Sequence, residues 1–220
     1  MKVEAFIFDV DGVLTDTVEL HCRSWARLAR EENLPFSREV NDQMRGLTRP
    51  ASLKVFLGGR SVTEEQARDY LERKNAYFLE ELAELTEANL LPGVLPLLRE
   101  IKGAGLKIAI GSASKNAREV VRRLGIASYI AAYADGHAVE RSKPAPDVFL
   151  AAADLLGVAP KACVVVEDAE SGIEAAHAAG MLVIGVGPCA RIQSADLPVE
   201  SLAAITLDGV LAGFQRAGIA

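Results

Sequence analysis

Residues 3–17 read Val-Glu-Ala-Phe-Ile-Phe-Asp-Val-Asp-Gly-Val-Leu-Thr-Asp-Thr. The apolar run Val3, Ala5, Phe6, Ile7, Phe8 stops at two aspartates, Asp9 and Asp11, and Gly12 follows at once. A run this short, rich in β-branched and aromatic residues, reads as a buried strand. Carboxylates at the C-terminal end of such a strand lie at the edge where open α/β sheets bind ligands. The spacer Val10 lets the chain turn between them, and Gly12 admits a backbone angle that other residues resist. The arrangement suits a hard cation bound by Asp9, with Asp11 left for another task. Taken alone, the same residues also fit a strand end followed by an Asp-Gly turn.

Outward from this stretch the pattern changes twice. From residue 16 to about 91 it is helical. Asp16 and Glu19 have capping-box spacing, and Val18, Cys22, Trp25 and Ala29 form an apolar stripe. Pro50 is placed for the first turn of a helix. Thr63 with Gln66 predicts a second capping box, opening a long helix to about residue 88 with Ala67, Leu71, Phe78, Leu82 and Leu85 on one stripe. Lys74 falls on that stripe too, so it must snorkel out or point into a polar cleft. Beyond residue 91, strands at 106–110, 129–134, 162–166, 182–186 and 204–207 alternate with helices. That alternation predicts an α/β fold. We expect a Rossmann-like doubly wound parallel sheet, residues 1–14 and 92–220, with an inserted all-helical cap over residues 15–91.

Composition narrows the class. The chain has 220 residues, half of them apolar and a quarter charged, which suits one large core plus an insertion. A net charge of −6 argues against a nucleic-acid partner. No apolar run approaches membrane-spanning length, and the first strand directly after Met1 leaves no room for a signal peptide. A cytoplasmic location and a monomer are the expectations. Cys22, Cys163 and Cys189 lack metal-cluster spacing and read as small buried or partly buried residues in a reducing compartment.

Parallel strands bring their C-terminal ends to one edge, so Asp9 and Asp11, Ser112, and Glu167 with Asp168 would gather there. Lys143 stands before a helix opening. Magnesium takes one or two carboxylates plus water and phosphate, which suits Asp9 and Asp168, with Glu167 as ligand or supporting partner. A carboxylate such as Asp9 can also attack phosphorus. Ser112, Lys143 and the N–H groups after Asp9 could hold the phosphoryl oxygens, leaving Asp11 as general acid and base. Each has a plainer reading: Ser112 and Ser114 as N-caps, Lys143 as a solvated loop lysine, Glu167-Asp168 as a helix start.

The order Asp-x-Asp-Gly, Ser112, Lys143, Glu167-Asp168 resembles the four motifs of the haloacid dehalogenase superfamily. Within it, the chain is similar to the β-phosphoglucomutase family. That likeness rests on residues 8–17 with His21 and Trp25, on Arg45-Gly46-Leu47-Thr48-Arg49 with Ser52, on Arg73-Lys74-Asn75, and on the core motifs around Ser112, Lys143 and Glu167. The resemblance implies interconversion of β-D-glucose 1-phosphate and glucose 6-phosphate through bound β-glucose 1,6-bisphosphate, with Mg²⁺. It makes Asp9 the nucleophile and Asp11 the acid and base, and it places Asp9, Asp11 (through its backbone carbonyl), Glu167 and Asp168 around the metal. Arg49, Ser114, Lys115 and Asn116 would hold the phosphate not being transferred. Thr17, His21, Gly46, Leu47, Ser52 and Lys74 would line the closed interface around the sugar, with Trp25 and Arg45 also facing substrate. Arg45 stands where the family often has lysine. A Mg²⁺-dependent sugar-phosphate phosphatase is the competing implication.

Overall fold

The N-terminal apolar run forms strand β1, Ala5–Phe8, buried along its whole length. Phe6 and Phe8 enter one hydrophobic core, Ala5 and Ile7 the other. A strand covered on both faces belongs in the middle of a parallel sheet. The computed structural model describes residues 2–45, 47–137 and 141–216, and among these β1 is central.

Four helices follow β1 directly: α1 (Thr17–Glu31), α2 (Arg38–Asp42), α3 (Arg49–Leu57) and α4 (Glu64–Leu82). Then come α5 (Val94–Gly103), β2 (Lys107–Gly111), α6 (Ala117–Arg123), β3 (Ala132–Ala134), α7 (Asp147–Leu156) and β4 (Cys163–Glu167). The chain continues through α8 (Glu170–Ala178), β5 (Leu182–Val186), α9 (Cys189–Ile192), β6 (Leu197–Val199) and α10 (Leu207–Arg216). The six strands are parallel in the order β3-β2-β1-β4-β5-β6. This is the doubly wound sheet expected, with α1–α4 as a helical cap. No helix among the described residues is long and apolar enough to cross a membrane.

The cap has its own core of Trp25, Leu28, Met44, Leu53, Phe56 and Tyr70. Arg73 on α4 ties it to α1 through Glu31 and Glu32, each at 2.6 Å. Both passages between cap and sheet run side by side: Leu91 N–H donates to Leu14 O at 2.9 Å, and the Thr15 hydroxyl donates to Asn89 O at 2.7 Å.

Some local expectations need correction. Asp16 makes no side-chain cap, its backbone departing from the extended N-cap conformation (ψ 72°), and Glu19 pairs with Arg38 at 2.9 Å rather than reaching back. The Thr63–Gln66 capping box forms as expected. Helix α4 ends at Leu82, not near 88, and its buried row is Tyr70, Lys74, Phe78, Leu82; Ala67 and Leu71 are half-buried. Residues 127–129 form a 3-10 turn before β3. The last strand is β6, not 204–207. In that stretch Thr206 Oγ1 accepts from Gly209 N–H and opens α10, while Pro198 hides β6, being tolerated only at a sheet edge.

Candidate active site

The register of β1 sets the site. Phe8 pairs with Ile110 on β2 and with Val166 on β4, so the residues after each strand emerge together. Asp9 N–H donates to Val166 O at 3.0 Å, and Ser112 N–H donates to Ala134 O at 3.0 Å. Asp9, Glu167 and Asp168 are all buried and bring carboxylate oxygens within 4.8 Å of one another. Lys143 lies beneath them, fully enclosed, donating to Asp9 Oδ1 at 2.9 Å and to Glu167 Oε1 at 2.5 Å. The other oxygen of Glu167 accepts the N–H groups of Asp168 and Ala169 at 2.7 and 2.9 Å.

Two glycines permit this crowding. Gly12 has φ +82°, and a Cβ there would overlap the Asp168 carboxylate. A Cβ at Gly172, in the first turn of α8, would overlap Glu167.

One ammonium does not neutralise this cluster. Burial, then the charges of Glu167 and Asp9, push Asp168 up to about 8. Burial likewise raises Glu167. Burial alone would lower Lys143, but Asp9 and Glu167 outweigh it and hold the ammonium well above its ordinary value. A buried, oxygen-only carboxylate cluster has the donor chemistry a hard divalent cation requires.

Asp11 turns away from this trio. Its carboxylate accepts the Thr17 hydroxyl, and His21 Nε2 lies 3.9 Å from its other oxygen. His21 Nδ1 in turn accepts from Lys74 Nζ at 2.5 Å, and its ring stacks on Phe78 at 4.1 Å. The chain Asp11–His21–Lys74 therefore runs from the sheet edge into the cap. Burial, then the Asp9 charge, raises Asp11 to about 6, with Thr17 pulling the other way. Burial and the nearby Arg49 charge push Lys74 down to about 7, and burial with Lys74 keeps His21 well below its ordinary value. The buried lysine anticipated on the α4 stripe thus points into a polar cleft.

That cleft, with a cavity of about 80 Å³, lies between the sheet edge and the cap. Of the residues singled out from the sequence, Asp9, Asp11, His21, Trp25, Arg45, Leu47, Arg49, Ser52, Lys74, Ser112, Ser114 and Asp168 line it. Lys143 and Glu167 lie below Asp9, and Thr17 behind Asp11. Lys115 is exposed, and Asn116 donates to Asn75 Oδ1 on α4 at 3.1 Å, bridging core and cap. Gly46 lies outside the described residues. Sequence reasoning gave no role to Gly172, Asn75 or Arg191, whose Nη1 is 3.8 Å from Asp168. Gly172 left a signal, since glycine in a helix is unfavourable without a packing reason. Arg191 left none.

Residues 3–180 match the family of haloacid dehalogenase-like hydrolases. The chain is 39% identical to a β-phosphoglucomutase of Bacillus subtilis, over 94% of this chain and 93% of that protein. It is 35% identical to hexitol phosphatase A of Escherichia coli, over 94% and 95%. The crystal structure of a β-phosphoglucomutase from Clostridium difficile superposes with a TM-score of 0.95 at 34% identity, covering 99% of this chain and all of that one.

Proposed function

This chain belongs to the haloacid dehalogenase-like hydrolases, and from that premise we propose that it is a Mg²⁺-dependent β-phosphoglucomutase. It would act on a small sugar phosphate, interconverting β-D-glucose 1-phosphate and glucose 6-phosphate through β-glucose 1,6-bisphosphate. The observation that carries this reading is a second cation, Arg49, lining the same cleft as Asp9 and Ser112. Asp9 with Ser112, and Lys143 beneath, would form one phosphate pole; Arg49 would form the other, with Ser114 between them, its N–H donating to Ser112 Oγ at 3.2 Å. A bisphosphate needs both.

Asp9, Glu167, Asp168 and the Asp11 backbone carbonyl would hold Mg²⁺, which supplies charge neutralisation at the transferring phosphoryl group. Asp9 attacks phosphorus and carries the phosphoryl group as an aspartyl phosphate. In the first half-reaction a sugar hydroxyl attacks that phosphate while Asp11 takes its proton. In the second, Asp9 attacks the other phosphate of the bisphosphate, and Asp11 returns the proton to the leaving sugar oxygen. Lys143 and Ser112 hold the phosphoryl oxygens during transfer. Arg49, Ser114, Lys115 and Asn116 hold the idle phosphate, bidentately in the case of arginine. Thr17, His21 and Lys74 orient Asp11, while Leu47, Ser52, Trp25 and Arg45 face the sugar. The assignment of residues 15–91 as cap and 1–14 with 92–220 as core is part of this proposal, supported by the paired passages at Leu14–Leu91. Closure of that cap keeps water from the aspartyl phosphate.

The test supplies β-glucose 1-phosphate, Mg²⁺ and a trace of bisphosphate, and follows glucose 6-phosphate with a coupled dehydrogenase. Formation of glucose 6-phosphate well above free phosphate release is expected, with no turnover of the α anomer. The likeness to hexitol phosphatase A favours a second reading, hydrolysis of a sugar phosphate, and dominant phosphate release across a sugar-phosphate panel would select it.

A further inference from the structure

Among the described residues, one cap side chain hydrogen-bonds to the carboxylate trio. Arg45, in the turn after α2, donates from Nη1 to Asp168 Oδ2 at 3.0 Å. The same guanidinium donates from Nε to Asp42 at 3.1 Å, which fixes it to the cap. Its planar fork serves both carboxylates at once, which a single ammonium group does less well. Arg191 approaches the same Asp168 oxygen from the core, at 3.8 Å.

Asp168 thus already has a cation against it, brought by the cap. A divalent ion held by Asp9, Glu167 and Asp168 would place two further positive charges beside that guanidinium at a buried carboxylate. Like charges at such range repel strongly where water is scarce. Arg45 also borders a second cavity, lined with it by Gly12, Asp16, Asp168, Arg191 and Glu200.

We propose that Arg45 is a cap-borne gate on the metal site: its guanidinium and a divalent cation compete for the Asp168 carboxylate, so that metal entry and this cap–core contact exclude each other. The inference rests on the metal reading above. Competition is reciprocal, so whatever Arg45 does to metal affinity, metal does to the Arg45 contact by the same factor. Metal entry would then release this tie between cap and core.

The test needs no turnover. Mg²⁺ binding to the full chain is measured by calorimetry, without sugar phosphate, for wild type, Arg45→Met and Arg191→Met. Small-angle scattering with and without Mg²⁺ reads the cap. Arg45→Met should tighten Mg²⁺ binding by about ten-fold, and Arg191→Met by clearly less. Wild type should expand on adding Mg²⁺, whereas Arg45→Met should be expanded already and unresponsive. Equal Mg²⁺ affinity in wild type and Arg45→Met overturns the gate while leaving the metal site intact. Equal tightening in both variants overturns it as well, because bulk charge then suffices. Mg²⁺ binding to none of the three proteins removes the metal reading, and the gate with it.

Discussion

Lys143 Nζ stands 2.9 Å from Asp9 Oδ1, with both side chains buried, and the same ammonium donates to Glu167. This one cation pairs two carboxylates that would otherwise lie charged in the interior. Removing one partner of a buried ion pair costs more than the pair contributes, because the other charge is left unmatched. Lys143→Met should therefore lower stability by about 3–5 kcal/mol at neutral pH. Burial already raises Glu167 and Lys143 counters it, so without the ammonium Glu167 binds protons still more tightly folded than unfolded, and the deficit should shrink as pH falls towards 5. Urea denaturation at both pH values, metal-free, measures this. A deficit independent of pH would mean that lost packing, not unpaired charge, is responsible.

Much of this pairing is legible in the chain itself. The apolar run ending at Asp9, the strand before Ser112 and the strand before Glu167 each announce a residue at the sheet edge, since parallel strands share that edge. Lys143 is harder to place: it stands in a loop, and nothing in a loop sequence says which way a lysine turns. Lys74 is visible as an anomaly on an apolar stripe, though not its partner His21. Asp11 facing Thr17 and His21, apart from Asp9, depends on the turn between them and on how the cap returns. Arg45 meeting Asp168 depends wholly on where the cap sits, which no local pattern encodes. The edge strand β6 escapes because Pro198 breaks the signal by which strands are read.

Asp11 offers a pH test of its proposed role. Its carboxyl is raised to about 6, with the Thr17 hydroxyl as the group holding it down. Taking a proton from the sugar hydroxyl requires the ionised form, so kcat/KM should fall as pH drops below about 6. Thr17→Val removes a bond to the carboxylate, so the acid limb should move to higher pH. Stability runs the opposite way. A raised carboxyl favours the folded state fully below its unfolded value of 3.8, and that contribution is lost as pH rises through about 6. A limb unmoved in Thr17→Val would assign it to another group. Asp11→Asn should cut transfer by about 10²–10⁴-fold, with Mg²⁺ binding largely kept, because its side chain lies outside the carboxylate trio.

Arg49 tests the second pole. It lines the cleft at the start of α3, and its charge reaches Lys74, which it helps to lower to about 7. If it holds the idle phosphate, Arg49→Ala loses a charge-assisted bond of about 1.5–3 kcal/mol. KM for the sugar phosphates should rise about 10–100-fold. Transfer should also suffer more than hydrolysis, since water needs no second phosphate pole. Steady-state kinetics with both products followed gives the two numbers. An unchanged KM would move the second pole elsewhere.

Gly172 supports the trio from behind. It sits in the first turn of α8, where an added Cβ would fall on the Glu167 carboxyl group. Its neighbours are backbone-anchored: Glu167 already accepts from Asp168 N–H and Ala169 N–H and is held by Lys143. The side chain cannot step aside without breaking one of these bonds. Alanine elsewhere in a helix is favourable relative to glycine by about 1 kcal/mol, so helix propensity predicts that Gly172→Ala stabilises the protein. Overpacking predicts the reverse, a loss of about 1–3 kcal/mol. Because the overlap is with a carboxylate held on three sides, we expect overpacking to win, with weakened Mg²⁺ binding as Glu167 is displaced. Thermal unfolding with and without Mg²⁺ separates these: the Gly172→Ala deficit should be larger with metal present, and a stabilised variant with normal Mg²⁺ affinity would show that α8 can shift to make room.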